Sequence, residues 1–186
     1  FFGIDGKKTE LNCKEEADKV TSAVNGRLFR VVSVKKAVKL RRPAPPFTTS
    51  TLQQDANRKL SFSSAKTMKV AQELYEGVNL GSHNGGVSGL ITYMRTDSVR
   101  VSDEAYAATV SYITESMGKE YLPDSRRIYK TKSGAQDAHE AIRPVNPSLH
   151  PDAVKSVLSA DQYKLYKLIW ARFVASQMAS AKFDTV

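Results

Sequence analysis

Apolar side chains recur at helical spacing over the last part of the chain. After Ser159, aromatic residues return at intervals of three and four at Tyr163, Tyr166, Trp170 and Phe173. This period predicts one long amphipathic helix that begins at Ser159. We interpret its aromatic stripe, Trp170 included, as part of a core rather than as a surface on which nucleic-acid bases stack.

Four earlier stretches carry helix signals. Ser102, followed by Asp103 and Glu104, has the hydroxyl and the acidic first turn typical of a helix N-terminus. Asn12 with Glu15 three residues later matches a capping box. The apolar spacing and these caps predict helices over residues 12–24, 49–57, 64–75 and 102–117.

Strand signals are concentrated in the first fifty residues. A hairpin is expected over 4–11, and a β-branched run over 28–38 predicts a long strand. The proline-rich segment 42–46 ends that strand, because proline cannot continue a ladder. The glycine-rich stretch 77–89 predicts a hairpin ahead of the next strand, and another strand begins near Lys182. The sequence thus predicts a mixed α and β fold.

One extended segment carries candidate chemistry. Thr92 and Tyr93 favour an extended backbone, in which the side chains of Tyr93, Arg95 and Asp97 project from one face. A tyrosine phenol, with an ordinary pKa of about 10, is a poor nucleophile unless a nearby cation favours the phenolate. An arginine can also hold a phosphate oxygen. The pattern indicates a phosphoryl-transfer site, or else Tyr93 packs like most of the eight tyrosines.

Composition narrows the class of protein. The net charge of +9 predicts a polyanion partner, with basic clusters at 35–42 and 126–132, although a generally basic soluble surface would give the same charge. Cys13 is the single cysteine, which excludes an internal disulfide and suits a reducing cytoplasm. No apolar run approaches the roughly 18 residues that span a bilayer, so no membrane partner is expected. The start at Phe1 and the strand-like end predict a piece of a longer chain.

Three segments, in this order, resemble one known family. They are PFTTSTLQQDA at 46–56, GLITYMRTDS at 89–98 and AQDAHEAIRP at 135–144. Together they resemble the tyrosine-bearing region of type IA DNA topoisomerases, of the bacterial topoisomerase I kind. Met94, directly after the tyrosine, favours the topoisomerase I branch over the topoisomerase III branch.

The resemblance implies a domain organisation. A mostly helical, winged-helix-like domain at 51–179 would carry the tyrosine. Residues 1–50 would form the first part of a β-rich arch or hinge domain, and residues 180–186 would return to that arch.

The resemblance also implies roles for individual residues. Tyr93 would attack a DNA phosphodiester, and Arg95 would stabilise the charge on the transferring phosphoryl group. His139 and Asp97 would support the site, with Asp97 orienting Arg95. Arg95, His139 and Arg143 would contact DNA, although Arg143 could instead pair with Glu140 three residues before it.

The expected partner is single-stranded or negatively supercoiled DNA, acted on without ATP by a monomeric enzyme in the cytoplasm, at the nucleoid. Family members hold Mg²⁺ in an N-terminal toprim domain, and no acidic cluster of that kind follows a strand here. We therefore expect no metal ligands in this chain, and no activity without the missing domain. The alternative is a winged-helix-type nucleic-acid-binding module with a structural tyrosine.

Overall fold

The computed structural model describes residues 2–81, 86–129 and 139–186. The expectations for Lys130 and Lys132 in the second basic cluster, and for the first four residues of the 135–144 segment, lie outside the described residues. The chain forms two compact units, residues 1–37 with 184–186 and residues 38–183. The predicted domain boundaries near 50 and 180 stay a prediction.

The smaller unit contains the predicted hairpin and one helix. Strands β1 (Gly3–Ile4) and β2 (Lys7–Lys8) pair antiparallel around a turn at Asp5 and Gly6. Helix α1 spans Lys14–Val24, and its N-cap is Cys13 rather than the predicted Asn12. The Asn12 N–H instead donates to the carboxylate of Glu16 at 2.8 Å, so the capping contact is shifted by one residue.

The long strand predicted over 28–38 is wrong. Residues 27–36 have no regular structure, and strand β3 spans only Ala37–Arg41. It pairs with the strand that was expected near Lys182, β6 (Ala181–Thr185). A β-branched run becomes a strand only where a partner strand supplies hydrogen bonds. Strand β6 is five residues long, and it pairs with the five residues of β3.

The larger unit is built on helices α2 (Thr49–Leu60), α3 (Ser64–Glu76), α4 (Asp103–Ser116) and α5 (Ala160–Gln177). Helix α5 packs against the other three, and its inward face is apolar. The buried residues of that face are Leu165, Tyr166, Ile169, Trp170, Phe173 and Val174. The mixed α and β class is confirmed. Among the described residues, none of the helices has the length and hydrophobicity needed to span a bilayer.

Local capping and packing follow the sequence closely in this unit. The predicted N-caps Ser102 and Ser159 each accept a hydrogen bond from a backbone N–H three residues on. Trp170 is buried, and its Nε1–H donates to the Pro147 carbonyl at 2.8 Å. The interpretation of Trp170 as a packing residue is therefore confirmed.

Candidate active site

The three segments singled out in the sequence lie side by side. Residues 141–145 run between Phe47 and residues 90–92, with antiparallel bridges at Phe47–Ile142 and Ile91–Pro144. The backbone hydrogen bonds run from Ile142 N to Phe47 O at 2.8 Å, from Thr92 N to Arg143 O at 2.9 Å and from Val145 N to Leu90 O at 2.9 Å. Segments far apart in the sequence thus form one small ladder beneath the tyrosine.

Glycine opens the tyrosine segment because the chain there passes close to helix α3. A Cβ on Gly89 would lie 2.6 Å from the Tyr75 carbonyl oxygen, which no larger residue could tolerate without moving the backbone. The next residue, Leu90, donates its N–H to the Leu74 carbonyl at 2.8 Å. A hairpin of β4 (Val78–Asn79) and β5 (Val87–Ser88) precedes this point, as predicted.

Exposure alternates along the tyrosine segment, although the expected strand stops early. The ladder reaches Thr92, and the chain then bends at Met94 and Arg95. Tyr93, Arg95 and Asp97 are exposed, whereas Met94, Thr96 and Ser98 are buried. The candidate chemistry is therefore directed outward from an anchored, irregular backbone.

Tyr93 and His139 line the same cleft. Tyr93 is 44% exposed, and its ring packs edge-on against Tyr75 with centroids 5.4 Å apart. The cleft has a volume of about 240 Å³ and is lined by Thr92, Tyr93, Thr96, His139 and Glu140. Within the described residues, the Tyr93 hydroxyl has no hydrogen-bond partner. The nucleophile expected from the sequence is thus accessible, with an imidazole close by.

Arg95 and Asp97 do not contact each other, although Asp97 was expected to orient Arg95. In residues 2–81, 86–129 and 139–186, neither side chain has an ion-pair or hydrogen-bond partner. Neither residue lines the cleft of Tyr93. Both charges are therefore exposed on the same short segment and available to a ligand.

Arg143 pairs with Glu140 instead of standing free. Its Nε donates to Glu140 Oε2 at 3.1 Å, its Nη2 donates to the same oxygen at 2.5 Å, and its Nη1 donates to the Pro144 carbonyl at 3.1 Å. The arginine side chain is only 12% exposed. Of the two roles considered, this geometry favours the pair, which forms on extended chain and not on a helix.

Glu140, named from the sequence as an alternative partner of Arg143, is a structural residue of the site. Its Oε1 accepts the Ser102 N–H at 2.8 Å, which joins the 139–145 segment to the start of helix α4. Burial acts to raise the pKa of Glu140, but the hydrogen bonds and charge of Arg143, with the Ser102 N–H, hold that pKa below its ordinary 4.5. The ionised carboxylate therefore stabilises the folded site.

The lowered pKa gives a testable pH dependence. A carboxylate with a depressed folded-state pKa contributes stability above its unfolded-state pKa and loses it as the pH falls through the folded value. We expect Glu140→Gln to lower the free energy of unfolding by about 1–3 kcal/mol at pH 7. This loss of stability should become smaller below pH 4.5, which is the ordinary pKa of a glutamate side chain.

Urea unfolding of the wild type and of Glu140→Gln between pH 7 and pH 3 measures this difference. Glu115→Gln is the matched control, because Glu115 is exposed on helix α4 and has no partner among the described residues. A Glu140→Gln deficit that stayed constant with pH would contradict the assignment.

Two threonine hydroxyls went unrecognised in the sequence. Thr92 Oγ1 donates to the Ala141 carbonyl at 2.8 Å and accepts the Arg143 N–H at 3.0 Å. The Thr49 hydroxyl, at the start of helix α2, hydrogen-bonds to the backbone of Met94 and Thr96, which follow Tyr93 in the chain. Neither bond follows a local spacing rule, so no sequence signal would have found them.

Side chains that commonly bind metal ions are not grouped together in the described part of the chain. The described residues contain no group of three histidine, cysteine, aspartate or glutamate side chains close enough to hold a metal ion. Hard cations such as Mg²⁺ bind through carboxylate oxygens, which this cleft offers only from Glu140, already paired with Arg143.

Comparison with known proteins gives the family. The sequence model described as DNA topoisomerase matches residues 4–186, so the chain belongs to the DNA topoisomerase family. The chain is also similar to the solved structure of full-length topoisomerase I from Thermotoga maritima, with 39% identity and a TM-score of 0.70. That match covers 98% of this chain and 28% of the Thermotoga protein. The resemblance to bacterial type IA topoisomerases is thereby confirmed.

Proposed function

We propose that this chain supplies the nucleophile of a type IA topoisomerase, which cleaves one DNA strand, allows strand passage and reseals the break. The Tyr93 hydroxyl gives up its proton as its oxygen attacks a phosphodiester phosphorus, the bond from phosphorus to the 3′ oxygen breaks, and the leaving oxygen takes up a proton. The broken strand is then held as a 5′-phosphotyrosine. Attack by the free 3′ hydroxyl reverses the step, so negative supercoils relax without ATP.

The unpaired hydroxyl of the exposed Tyr93 is the observation that carries this proposal, within the described residues. Most tyrosines in a core or interface satisfy their hydroxyl, as Tyr166 does with the Leu149 carbonyl at 2.8 Å. Within the described residues, Tyr93 instead has a packed ring, lines a cleft and has no hydrogen-bond partner for its hydroxyl. That combination suits a nucleophile that must reach a phosphorus atom in line.

The neighbouring charges have separate proposed roles. Arg95, exposed and unpaired among the described residues, contacts the scissile or adjacent phosphate and stabilises its developing charge. His139 hydrogen-bonds a phosphate oxygen or passes a proton to the leaving oxygen. Asp97 supports Arg95 once DNA is bound. Arg143, paired with Glu140, holds in place the segment that carries His139, and in this way it supports the contact with DNA.

The remaining parts of the reaction belong to other regions of the proposed parent enzyme. Its toprim domain would hold Mg²⁺, and the chain alone would be inactive. Single-stranded or negatively supercoiled DNA would be the substrate of a monomeric, cytoplasmic, nucleoid-associated enzyme, in which residues 1–50 and 180–186 form part of the arch. The basic composition supports a DNA partner.

Formation of a covalent adduct tests the proposal. The chain is mixed with end-labelled single-stranded DNA, with and without a separately expressed toprim-containing half and Mg²⁺, and the mixture is then denatured. We expect a 5′-linked adduct only with both halves present. No adduct from the folded, reconstituted pair would instead indicate a nucleic-acid-binding module with a structural Tyr93.

A further inference from the structure

A single threonine holds the backbone on which Tyr93 and Arg95 stand. Thr49 Oγ1 donates to the Met94 carbonyl at 2.7 Å and accepts the Thr96 N–H at 2.9 Å. The Thr49 N–H donates to the Thr96 carbonyl at 2.8 Å. The bonded residues, Met94 and Thr96, lie on either side of Arg95 and directly after Tyr93. The Thr49 hydroxyl therefore stabilises the bend of the chain at the site.

Thr49 is itself fixed on a rigid support. It is the first residue of helix α2, and its neighbour Thr48 forms a capping box with Thr51. Leu52, one turn into the helix, is fully buried. A capped helix start anchored in the core therefore presents the Thr49 hydroxyl at a defined position.

The bonds act on the buried side of the segment. The Met94 side chain is 0% exposed, and Thr96 is also buried, whereas Tyr93 and Arg95 face outward. Fixing the backbone at Met94 and Thr96 therefore sets the direction of both outward side chains. A reacting group displaced by about 1 Å can lose about 100-fold in rate.

We propose that Thr49 is a positioning residue for strand cleavage, which holds the Tyr93–Arg95 bend in its reactive geometry without touching DNA. This inference rests on the proposed function of Tyr93. It assigns Thr49, in the 46–56 segment, a role in the reaction beyond starting a helix.

Thr49→Val removes the hydroxyl at nearly constant shape and leaves the Thr49 N–H bond to Thr96 in place, so the variant should fold. Thr49→Ser restores the hydroxyl. Thr51→Val is the matched control, because it makes the same change in the same helix turn. Within the part of the chain that the structure describes, the Thr51 hydroxyl bonds only within the cap, to the N–H and carbonyl of Thr48 and to the Thr48 hydroxyl.

Two measurements are made on each variant. Amide hydrogen exchange at Thr96 reports the bond to Thr49, independently of activity. Single-turnover adduct formation with saturating single-stranded DNA, in the reconstituted pair, reports positioning. We expect Thr49→Val to lose protection at Thr96 and to form adduct about 10- to 100-fold more slowly, with little change in DNA affinity.

The outcomes separate the two proposals. Recovery in Thr49→Ser and near-normal rates in Thr51→Val would support positioning by the Thr49 hydroxyl. If Thr49→Val loses amide protection at Thr96 but forms adduct at an unchanged rate, the positioning role of Thr49 is overturned, whereas the proposed role of Tyr93 is not affected. If Thr51→Val slows adduct formation as much as Thr49→Val does, the slower rate results from a less stable helix, and the positioning role of Thr49 is again overturned. No adduct from the wild type would reject the proposed function, and this inference with it.

Discussion

Tyr93→Phe is expected to abolish covalent attachment to DNA, lowering the cleavage rate by about a million-fold, the scale seen when a catalytic nucleophile is removed. Phenylalanine keeps the ring that packs against Tyr75 but lacks the attacking oxygen. Because the hydroxyl has no partner among the described residues, the free energy of unfolding should stay within about 0.5 kcal/mol of the wild type. Adduct yield on end-labelled DNA and urea unfolding measure the two effects.

Tyr121→Phe provides the matched control for this experiment. Tyr121 is 48% exposed, close to the 44% of Tyr93, and its hydroxyl also has no partner among the described residues. We expect this variant to form adduct normally. Adduct formation by Tyr93→Phe, with the linkage on another residue, would remove Tyr93 from the proposed mechanism.

Arg95→Ala is expected to slow cleavage by about 100- to 1,000-fold, because a charge-stabilising donor would be lost from the transition state. Since Arg95 is exposed and unpaired in the described residues, stability should again change by less than about 0.5 kcal/mol. The measurement is the single-turnover rate at saturating DNA. Saturation separates a loss in the chemical step from weaker binding.

Arg100→Ala controls for the loss of one positive charge. Arg100 is also exposed, lies five residues along the chain, and its side chain has no partner among the described residues. We expect it to weaken DNA binding slightly at low salt and to leave the saturated rate near that of the wild type. Equal losses of rate in both variants would show that Arg95 contributes only general charge.

Local features of the fold were predictable from the sequence because their causes are local. The caps at Ser102 and Ser159 depend on hydroxyls and amides three residues apart, and both are present. The strand expected over 28–38 failed because a strand needs a partner. The strand that does form, β3 at Ala37–Arg41, has its partner β6 more than a hundred residues further along the chain.

The same distinction holds within the site. Tyr93, Arg95 and His139 were predicted from motifs and stay predictions, whereas the pairing of Arg143 with Glu140, one of two interpretations of their spacing, is present. Thr49 was not found, since its partners Met94 and Thr96 lie 45 and 47 residues away. A hydrogen bond from a side chain to a distant backbone group leaves no period or spacing in the sequence.

The small ladder beneath Tyr93 also sets an order of assembly. Thr92 bonds to Arg143 across 51 residues, so the cleft closes only after a long stretch of chain has been made and folded back. Closing such a loop costs conformational entropy before its contacts are gained. During synthesis from the N-terminus, a chain that has emerged only as far as Asp97 carries its tyrosine without His139 or the ladder. If Tyr93 is the proposed nucleophile, we expect such nascent chains to leave DNA intact, because the cleft that it lines is completed by the last of its three segments.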